Sequence, residues 1–335
     1  LGATVSVVGH KEYNEQTIDA DFWKEVFGVP VIASEPKRIG EGQVGMNLRY
    51  SLQSDDANVP ASVVVKLASP DPISRATGIS LRNYEREVKF YIEIANTLDV
   101  RKPHCYFADW HEEAGDIAIV LEDMTPCEQG DQIRGCGVEE ARISVTELSK
   151  LHGPRWGDAS LAKIDWLQRR DADDAARLEG LYAMVKPGFL AVHGEAIRRE
   201  CGEEGIAFIE TLGTMMTRYV NAKDEPFTVT HGDYRLDNCM VDAKGNVIAV
   251  LDWEICTLGD PMADLGLLMV YWTGPNDDAS AWSNSVCTAK GFLDRADLAR
   301  RYAETSGRDI SQLDYYVAFA YWKLACIIEG VYARY

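Results

Sequence analysis

A polar loop with three regularly spaced residues carries the strongest chemical signal in the sequence. It lies in "VTHGDYRLDNCMVD", residues 229–242, where His231, Asp233 and Asn238 follow the pattern H-x-D-x-x-x-x-N. An aspartate here can accept or orient the proton of an attacking hydroxyl, and an amide oxygen one loop turn later can reach Mg²⁺, which prefers oxygen ligands. Asp252 ends the apolar run that follows and offers a second such ligand. A loop rich in Asp and Asn is often only a turn, but Asp252 favours a site for metal and phosphate.

A second motif lies in residues 40–45, where Gly40, Gly42 and Gly45 form the pattern G-x-G-x-x-G. In a dinucleotide-binding fold a helix follows this pattern. Here the apolar residues after Gly45 alternate with a period of two, which predicts a strand. We therefore expect a hairpin whose backbone N–H groups fold over phosphates. Asn47 stands where the protein-kinase loop has valine, so the apolar cover of an adenine must come from elsewhere.

A lysine and an acidic helix would complete a phosphate site. Lys66 follows the apolar run 63–65, and a lysine on such a strand usually extends from a sheet edge into solvent. Its place behind a glycine-rich hairpin favours a contact with phosphate instead. Its partner would be Glu85 or Glu87 in a helix predicted over 80–98, and helical periodicity does not choose between them.

The arrangement of elements predicts an α+β fold with two lobes. Strand-like patterns end near residue 124 and helical patterns begin near residue 137. We expect residues 1–124 to form a small β-rich ATP-binding lobe and residues 125–335 a larger helical lobe for catalysis and substrate binding. Backbone groups of Glu122 and Met124 would bind the adenine edge at the hinge between them. An ordinary strand end is the alternative for these two residues.

The composition indicates a globular protein and narrows its partners. The 335 residues are 46% hydrophobic and 26% charged, and the formal net charge of −19 argues against nucleic acid as a partner. The longest apolar runs, 265–272 and 316–328, are shorter than a membrane span, and Lys323 interrupts the second. Eight cysteines without metal-ligand spacing indicate reduced thiols, and no apolar signal segment is visible. We expect a cytoplasmic protein that does not insert into membranes.

Several segments resemble a known superfamily: "HGDYRLDN", "LDWEICTLGDPMADLG", "LEDMTPCEQGDQ" with the later "LSKLHGPRW", and the C-terminal segment 301–335. They are similar to the aminoglycoside phosphotransferase and choline-kinase-like superfamily. The nearest branches are the ecdysteroid-kinase-like proteins and the phosphotransferase domains fused to some acyl-CoA dehydrogenases. The resemblance covers most of the chain and implies a protein-kinase-like bilobal fold. It also implies Mg²⁺- and ATP-dependent transfer of the γ-phosphoryl group to a hydroxyl of a small molecule.

The resemblance also implies a role for each candidate residue. Asp233 is the catalytic base. Arg235 lies where a cation can neutralise charge on the transferred phosphoryl group, although a surface arginine fits the same spacing. Lys66 binds phosphate and pairs with Glu87, and Asp264 braces the catalytic loop by hydrogen bonds. The implied magnesium ligands are Asn238, Asp252 and, as an assisting acid, Glu254.

Two other functions fit parts of the pattern. A protein kinase shares the loop spacing H-R-D-x-x-x-x-N, but Gly232 replaces its arginine, and no long segment ending in A-P-E follows Asp252. A non-catalytic pseudokinase would need a lesion in the chemistry, and Lys66, Asp233 and Asn238 are all present. The acceptor stays open among hydroxyacyl-CoA thioesters, sterol-like alcohols, amino alcohols and aminoglycosides. The choice between ATP and GTP and the oligomeric state also stay open.

Overall fold

The chain divides into two compact units, Leu1–Leu167 with Thr228–Tyr335 and Gln168–Phe227. The candidate site lies in the first unit. The computed structural model describes residues 12–40, 44–131, 137–169, 171–221, 227–244, 246–272 and 293–332.

An antiparallel sheet dominates the N-terminal part of the first unit. Its elements are α1 (Ala20–Phe27), β1 (Ile32–Ala33), β2 (Lys37–Ile39), β3 (Gly45–Gln53), β4 (Ser62–Ala68), β5 (Cys105–His111) and β6 (Asp116–Glu122). The strand order is β1-β3-β4-β6-β5, with β2 paired to β3. Leu48, Tyr50 and Leu52 are buried at every second position of β3, as the period of two predicts. They pack in one core with Phe22 and Trp23 of α1.

A helical connection between β4 and β5 replaces the single helix predicted over 80–98. It consists of α2 (Pro72–Ser80) and α3 (Asn83–Lys89), followed by a π turn (Phe90–Ile94) and a 3₁₀ turn (Ala95–Thr97). The break lies at Arg82, which has a left-handed φ of 59°. A residue in this region cannot continue a right-handed helix. The prediction of one helix over 80–98 was therefore wrong in its first turn. In its second half the segment is helical but changes from α to π and 3₁₀ geometry.

Beyond β6 the chain forms β7 (Glu128–Gln129) and α4 (Val138–His152), which still belong to the first unit. It then enters the second unit, which contains α5 (Ala172–Leu212) and α6 (Met215–Asn221). Gly202 interrupts α5 with a left-handed φ of 66°. The Tyr182 hydroxyl donates to the Ile209 carbonyl (2.9 Å). A straight helix would separate these residues by about 40 Å, so α5 folds back on itself at Gly202.

The rest of the first unit places two loops side by side. It contains β8 (Thr228–Thr230), β9 (Cys239–Val241), β10 (Val247–Val250), β11 (Thr257–Gly259), α7 (Met262–Tyr271), α8 (Arg295–Ser306) and α9 (Leu313–Tyr332). Strand β9 pairs with β7 and β10, and β8 pairs with β11. Loops 231–238 and 251–256 are therefore adjacent, and the Leu251 N–H donates to the Asn238 carbonyl (2.8 Å).

The predicted α+β class is confirmed, with a β-rich N-terminal part and a helical C-terminal part. The lobe boundary after residue 124 stays a prediction. Within the described ranges, no helix combines the length and apolar character that a membrane span requires. A cytoplasmic location also stays a prediction.

Candidate active site

Lys66 is the centre of a cluster of carboxylates formed by Glu87, Asp252 and Glu254, called here the acidic cluster. Its Nζ lies 2.6 Å from Glu87 Oε2, 3.0 Å from Asp252 Oδ1 and 3.4 Å from Glu254 Oε2. The lysine stem crosses Gly45 on the neighbouring strand β3. A Cβ atom at Gly45 would lie 2.9 Å from Lys66 Cε. The last glycine of the glycine-rich motif therefore makes room for this lysine.

Helix α3 separates the two acidic residues that periodicity left as possible partners of Lys66. Glu85 pairs with Arg82 (Nε–Oε2, 2.6 Å) and with Lys89 (Nζ–Oε1, 2.9 Å). Glu87 is buried and faces Lys66. Residues two apart on a helix point to different sides, so only Glu87 of this pair reaches the lysine.

Lys66 and the acidic cluster shift each other's ionisation. Burial raises the pKa of Glu87 to about 7, although the nearby Lys66 ammonium opposes the rise. Burial favours the neutral amine of Lys66, but Asp252 and Glu87 outweigh it and raise the lysine pKa well above its ordinary value. For Asp252 burial opposes ionisation, and Lys66 nevertheless lowers the pKa. The cluster thus holds more acidic groups than one ammonium neutralises, which favours binding of a further cation.

Asp252 lies in a strained turn that its neighbours hold in place. Its φ is 66°, in the left-handed region that non-glycine residues rarely adopt. The next residue, Trp253, is fully buried and stacks on Phe90 with ring centroids 4.0 Å apart. The Trp253 indole N–H also donates to the Val250 carbonyl (3.1 Å). This anchor keeps Asp252 beside Lys66, and strain of this kind is typical of functional sites.

Loop 231–238 brings Asp233, Arg235 and Asn238 together. Asp233 Oδ2 accepts hydrogen bonds from Arg235 Nε (3.0 Å) and Asn238 Nδ2 (3.2 Å). Asn238 Nδ2 also donates to the Asp233 carbonyl (2.8 Å). The NH₂ group of Asn238 is thus bound to Asp233, and its amide oxygen is the atom left for a metal. Arg235 also pairs with Asp237 (Nη1–Oδ2, 2.9 Å).

A brace, formed by the buried residues Asp264 and His152 and by the part-buried Lys323, holds this loop. The two carboxylate oxygens of Asp264, on α7, accept the His231 N–H (2.6 Å) and the Gly232 N–H (2.8 Å). The predicted bracing role of Asp264 is therefore confirmed. The Nε2 of His231 lies 2.8 Å from the carbonyl oxygen of the residue before Asp252, which links the brace to the neighbouring turn.

Two members of the brace were not among the sequence-based candidates. His152, at the end of α4, lies between Asp264 (Nε2–Oδ2, 3.2 Å) and the Tyr302 hydroxyl (Nδ1–O, 2.7 Å). Burial opposes ionisation of Asp264, but its hydrogen bond to His152 helps to lower its pKa. Lys323 of α9 donates to the Gly232 carbonyl (2.9 Å). The sequence signal for Lys323 is its position inside an otherwise apolar run.

Three of the remaining nucleotide-binding candidates lie at the ends of strands β2 and β6 or just beyond them. Gly40 follows β2 with a left-handed φ of 67°, and Gly42 lies outside the described residues. The Glu122 N–H, at the end of β6, donates to the backbone carbonyl of the residue just before β5 (2.8 Å). The Met124 carbonyl accepts the Cys127 N–H (2.9 Å). Binding of an adenine edge by Glu122 and Met124 stays a prediction.

Comparison with known proteins identifies the family. The sequence profile of the phosphotransferase enzyme family, APH, matches residues 47–300. The chain belongs to this family. It is therefore an enzyme of the phosphotransferase class, and the predicted superfamily is confirmed.

Similar curated proteins are much longer than this chain. Acyl-CoA dehydrogenase family member 11 of Gallus gallus is 35% identical over 136 residues, which is 39% of this chain and 18% of that protein. Family member 10 of Mus musculus is 36% identical over 111 residues, 32% of this chain and 10% of that protein. The chain thus covers less than a fifth of the length of these relatives. The predicted similarity to phosphotransferase domains fused to acyl-CoA dehydrogenases is confirmed.

Solved structures show the same fold at low identity. A Ralstonia eutropha protein assigned to the aminoglycoside phosphotransferases has a TM-score of 0.59 and 22% identity, over 93% of this chain and 87% of that one. A complex of APH(2″)-IIa with streptomycin and ATP has a TM-score of 0.54 and 13% identity, over 96% and 94% of the two chains. The predicted kinase-like fold is confirmed by these likenesses.

The donor set of the site fits a divalent cation. Oxygen atoms of Glu87, Asp252 and Glu254 all lie within 4.8 Å of one another. The Asp252 side chain is 41% exposed, so a hydrated ion could reach it. A role of the Asn238 amide oxygen as a further, neutral ligand of the same hard type stays a prediction. Oxygen donors of this kind suit Mg²⁺, which binds through one or two carboxylates and retains several waters.

Proposed function

We propose that this enzyme catalyses Mg²⁺- and ATP-dependent transfer of the γ-phosphoryl group to a hydroxyl of a small molecule. One observation carries the proposal: the Lys66–Glu87 ion pair lies directly beside Asp252, and the loop of Asp233 and Asn238 is hydrogen-bonded to the same turn. A cation that would bind phosphate, oxygen atoms that would hold a metal and a carboxylate that would act on the acceptor hydroxyl therefore lie close together, which supports the proposal. Membership of the phosphotransferase family supports this reading.

The nucleotide would bind against the sheet and the acidic cluster. Lys66, held by Glu87, would contact the phosphates, and the glycine-rich segment would cover them with backbone N–H groups. The backbone of Glu122 and Met124 would bind the adenine. Mg²⁺, when bound, would neutralise charge on the phosphate oxygens. The residues that would hold it are Asn238, Asp252 and Glu254.

Asp233 would act on the acceptor. Its carboxylate would take the hydroxyl proton as the acceptor oxygen bonds to the γ-phosphorus and the bond to the leaving nucleoside diphosphate breaks. Arg235, 3.0 Å from Asp233, would stabilise the negative charge on the transferred group. Asn238 also donates to the same carboxylate oxygen, at 3.2 Å. Phosphoryl transfer depends mainly on such positioning and charge stabilisation.

The acceptor class that the comparisons favour is a hydroxyacyl-CoA thioester. The curated relatives are named as acyl-CoA dehydrogenase family members, and a kinase domain in such a chain would act on a related thioester. Sterol-like alcohols and amino alcohols are the next candidates. Aminoglycosides belong in the same test, because a solved neighbour is a complex with streptomycin and ATP.

A screen of nucleotide consumption tests this function. The purified chain is incubated with ATP or GTP, Mg²⁺ and one acceptor at a time: hydroxyacyl-CoAs, sterols, amino alcohols and aminoglycosides. We expect consumption that needs both Mg²⁺ and one acceptor class, with a product heavier by one phosphoryl group in mass spectrometry. Asp252→Asn, which removes a charged metal ligand, should lower the rate by about 10²-fold.

Two results would contradict the proposal. Phosphate that appears on protein substrates and on none of the small acceptors would indicate a protein kinase. Nucleotide binding without transfer to any acceptor, and unchanged in Asp252→Asn, would indicate a non-catalytic binding module.

A further inference from the structure

Tyr84 connects the helix of the acidic cluster to the glycine-rich segment. It lies on α3 three residues before Glu87, so the two side chains share one side of the helix. Its hydroxyl donates to the Val44 carbonyl and accepts the Ser69 N–H (3.2 Å). Val44 immediately precedes Gly45, and Ser69 immediately follows β4. One side chain thus joins α3 to the start of β3 and the end of β4.

The position of the Tyr84 ring is fixed by close packing. The residue is 2% exposed, and Gly78 of α2 lies directly against it. A Cβ atom at Gly78 would lie 2.5 Å from Cζ of the ring, so only glycine fits there without a shift. The hydroxyl therefore has little freedom to leave its two backbone partners.

We infer that Tyr84 is a positioning residue for the phosphate end of the proposed nucleotide site, that is, for the start of β3 and for Glu87. The inference rests on that proposed site. Through Val44 its hydroxyl fixes the start of β3, where Lys66 crosses Gly45. Its ring fixes α3, which supplies Glu87. The phosphate end of the nucleotide site therefore depends on Tyr84, whereas the adenine end, expected at the end of β6, does not.

Tyr84→Phe tests this role because it removes the hydroxyl and keeps the ring. The Ser69 N–H also donates a hydrogen bond to the Val44 carbonyl (3.2 Å). Each group therefore keeps one hydrogen-bond partner in the variant, and the fold should persist. Tyr91→Phe is the matched control. Tyr91 is also 2% exposed, lies in the helical continuation of α3, and its hydroxyl has no hydrogen-bond partner among the described residues.

Isothermal titration then compares the two variants with the wild type, with Mg-ATP and with adenosine as ligands. We expect Tyr84→Phe to weaken Mg-ATP binding by about three- to ten-fold, the range of one lost hydrogen bond. Adenosine binding should not change, because adenosine has no phosphates. Tyr91→Phe should bind both ligands like the wild type, and the nucleotide-free melting temperatures of the two variants should be similar.

The inference is overturned if Tyr84→Phe binds Mg-ATP as tightly as Tyr91→Phe does. It is also overturned if adenosine and Mg-ATP lose affinity equally, since that result indicates a general structural role. Failure of the proposed function looks different. In that case the wild type itself binds neither Mg-ATP nor adenosine, or it binds Mg-ATP but transfers no phosphoryl group to any small acceptor, and the comparison of the two variants still applies to the second result.

Discussion

The acidic cluster around Lys66 and the brace behind loop 231–238 meet at one site but are held by different forces. The cluster crowds carboxylates around one ammonium, and one of them, Asp252, has a side chain that is 41% exposed. The brace is built on one fully buried carboxylate, Asp264, which accepts two backbone N–H groups. Charge in the cluster can therefore interact with a ligand, whereas the charge of the brace interacts with backbone N–H groups of the protein itself. Cluster residues should therefore affect catalysis more than stability, and brace residues should affect both.

Among the residues of the acidic cluster and the brace, replacing Lys66 with Met should have the largest effect on activity. The variant keeps the stem that packs against Gly45 and removes only the ammonium. We expect acceptor-dependent turnover to fall by about 10²- to 10³-fold, as when one donor that stabilises developing charge is lost. Urea unfolding should show little change, because Glu87 can take up a proton once its partner is gone.

Lys89→Met is the matched control for Lys66. Lys89 pairs with Glu85 on the same helix but lies outside the acidic cluster. Its turnover should stay near that of the wild type. Equal losses of turnover in the Lys66 and Lys89 variants would mean that the position of Lys66 inside the acidic cluster has no special role in catalysis.

Asp264→Ala should have the largest effect on stability. It leaves the N–H groups of the buried His231 and the part-buried Gly232 without their charged acceptor, which should cost about 3 kcal/mol of unfolding free energy. Urea denaturation measures this change. Asp242→Ala is the control, because Asp242 accepts two backbone N–H groups at 2.8 and 2.9 Å on an open turn. A loss in the control as large as in Asp264→Ala would show that burial of the brace does not matter.

The stabilisation by Asp264 should depend on pH. Its pKa is lowered in the folded protein, despite burial, by His152 and by the backbone N–H of His231. A group of this kind stabilises the fold above its unfolded pKa of about 4 and loses that effect as the pH falls through the folded value. The difference in unfolding free energy between wild type and Asp264→Ala should therefore narrow in acid. A constant difference down to low pH would contradict the charged state of Asp264.

Lys323→Met should have the smallest effect of the series. The Gly232 carbonyl loses a donor, while Asp264 still holds the Gly232 N–H. We expect kcat to fall by about three- to ten-fold, the equivalent of one hydrogen bond, with an unchanged KM for ATP. Lys323→Arg should recover most of the loss, because arginine can donate to the same carbonyl. Equal kcat in all three proteins would remove Lys323 from the brace.

The sequence was sufficient for the parts of the site that depend on short-range patterns. The period of two after Gly45 gave strand β3, and the spacing of His231, Asp233 and Asn238 gave the polar loop beside Asp252. Helical periodicity could not identify Glu87 rather than Glu85 as the partner of Lys66, because both lie about equally far from the apolar centre of the predicted helix. The left-handed Arg82, which breaks that helix, has no local signal such as glycine.

The brace shows what local patterns miss. Asp264 was expected because of its motif, whereas His152 and Lys323 lie 112 and 59 positions from it in the chain, on α4 and α9. Their roles depend on tertiary packing of helices around α7. A lysine inside an apolar run indicates an unusual environment, but the sequence does not say which carbonyl it binds.

Asp233→Asn tests the central claim, that the acidic cluster and loop 231–238 form one phosphotransferase site, most directly. The variant keeps the side-chain shape and an oxygen for Arg235 and Asn238, and it loses the base. With the acceptor found in the screen, turnover should fall by about 10²- to 10⁴-fold, while Mg-ATP binds as tightly as to the wild type. Unchanged turnover, or loss of turnover and Mg-ATP binding in parallel, would contradict the assignment of Asp233.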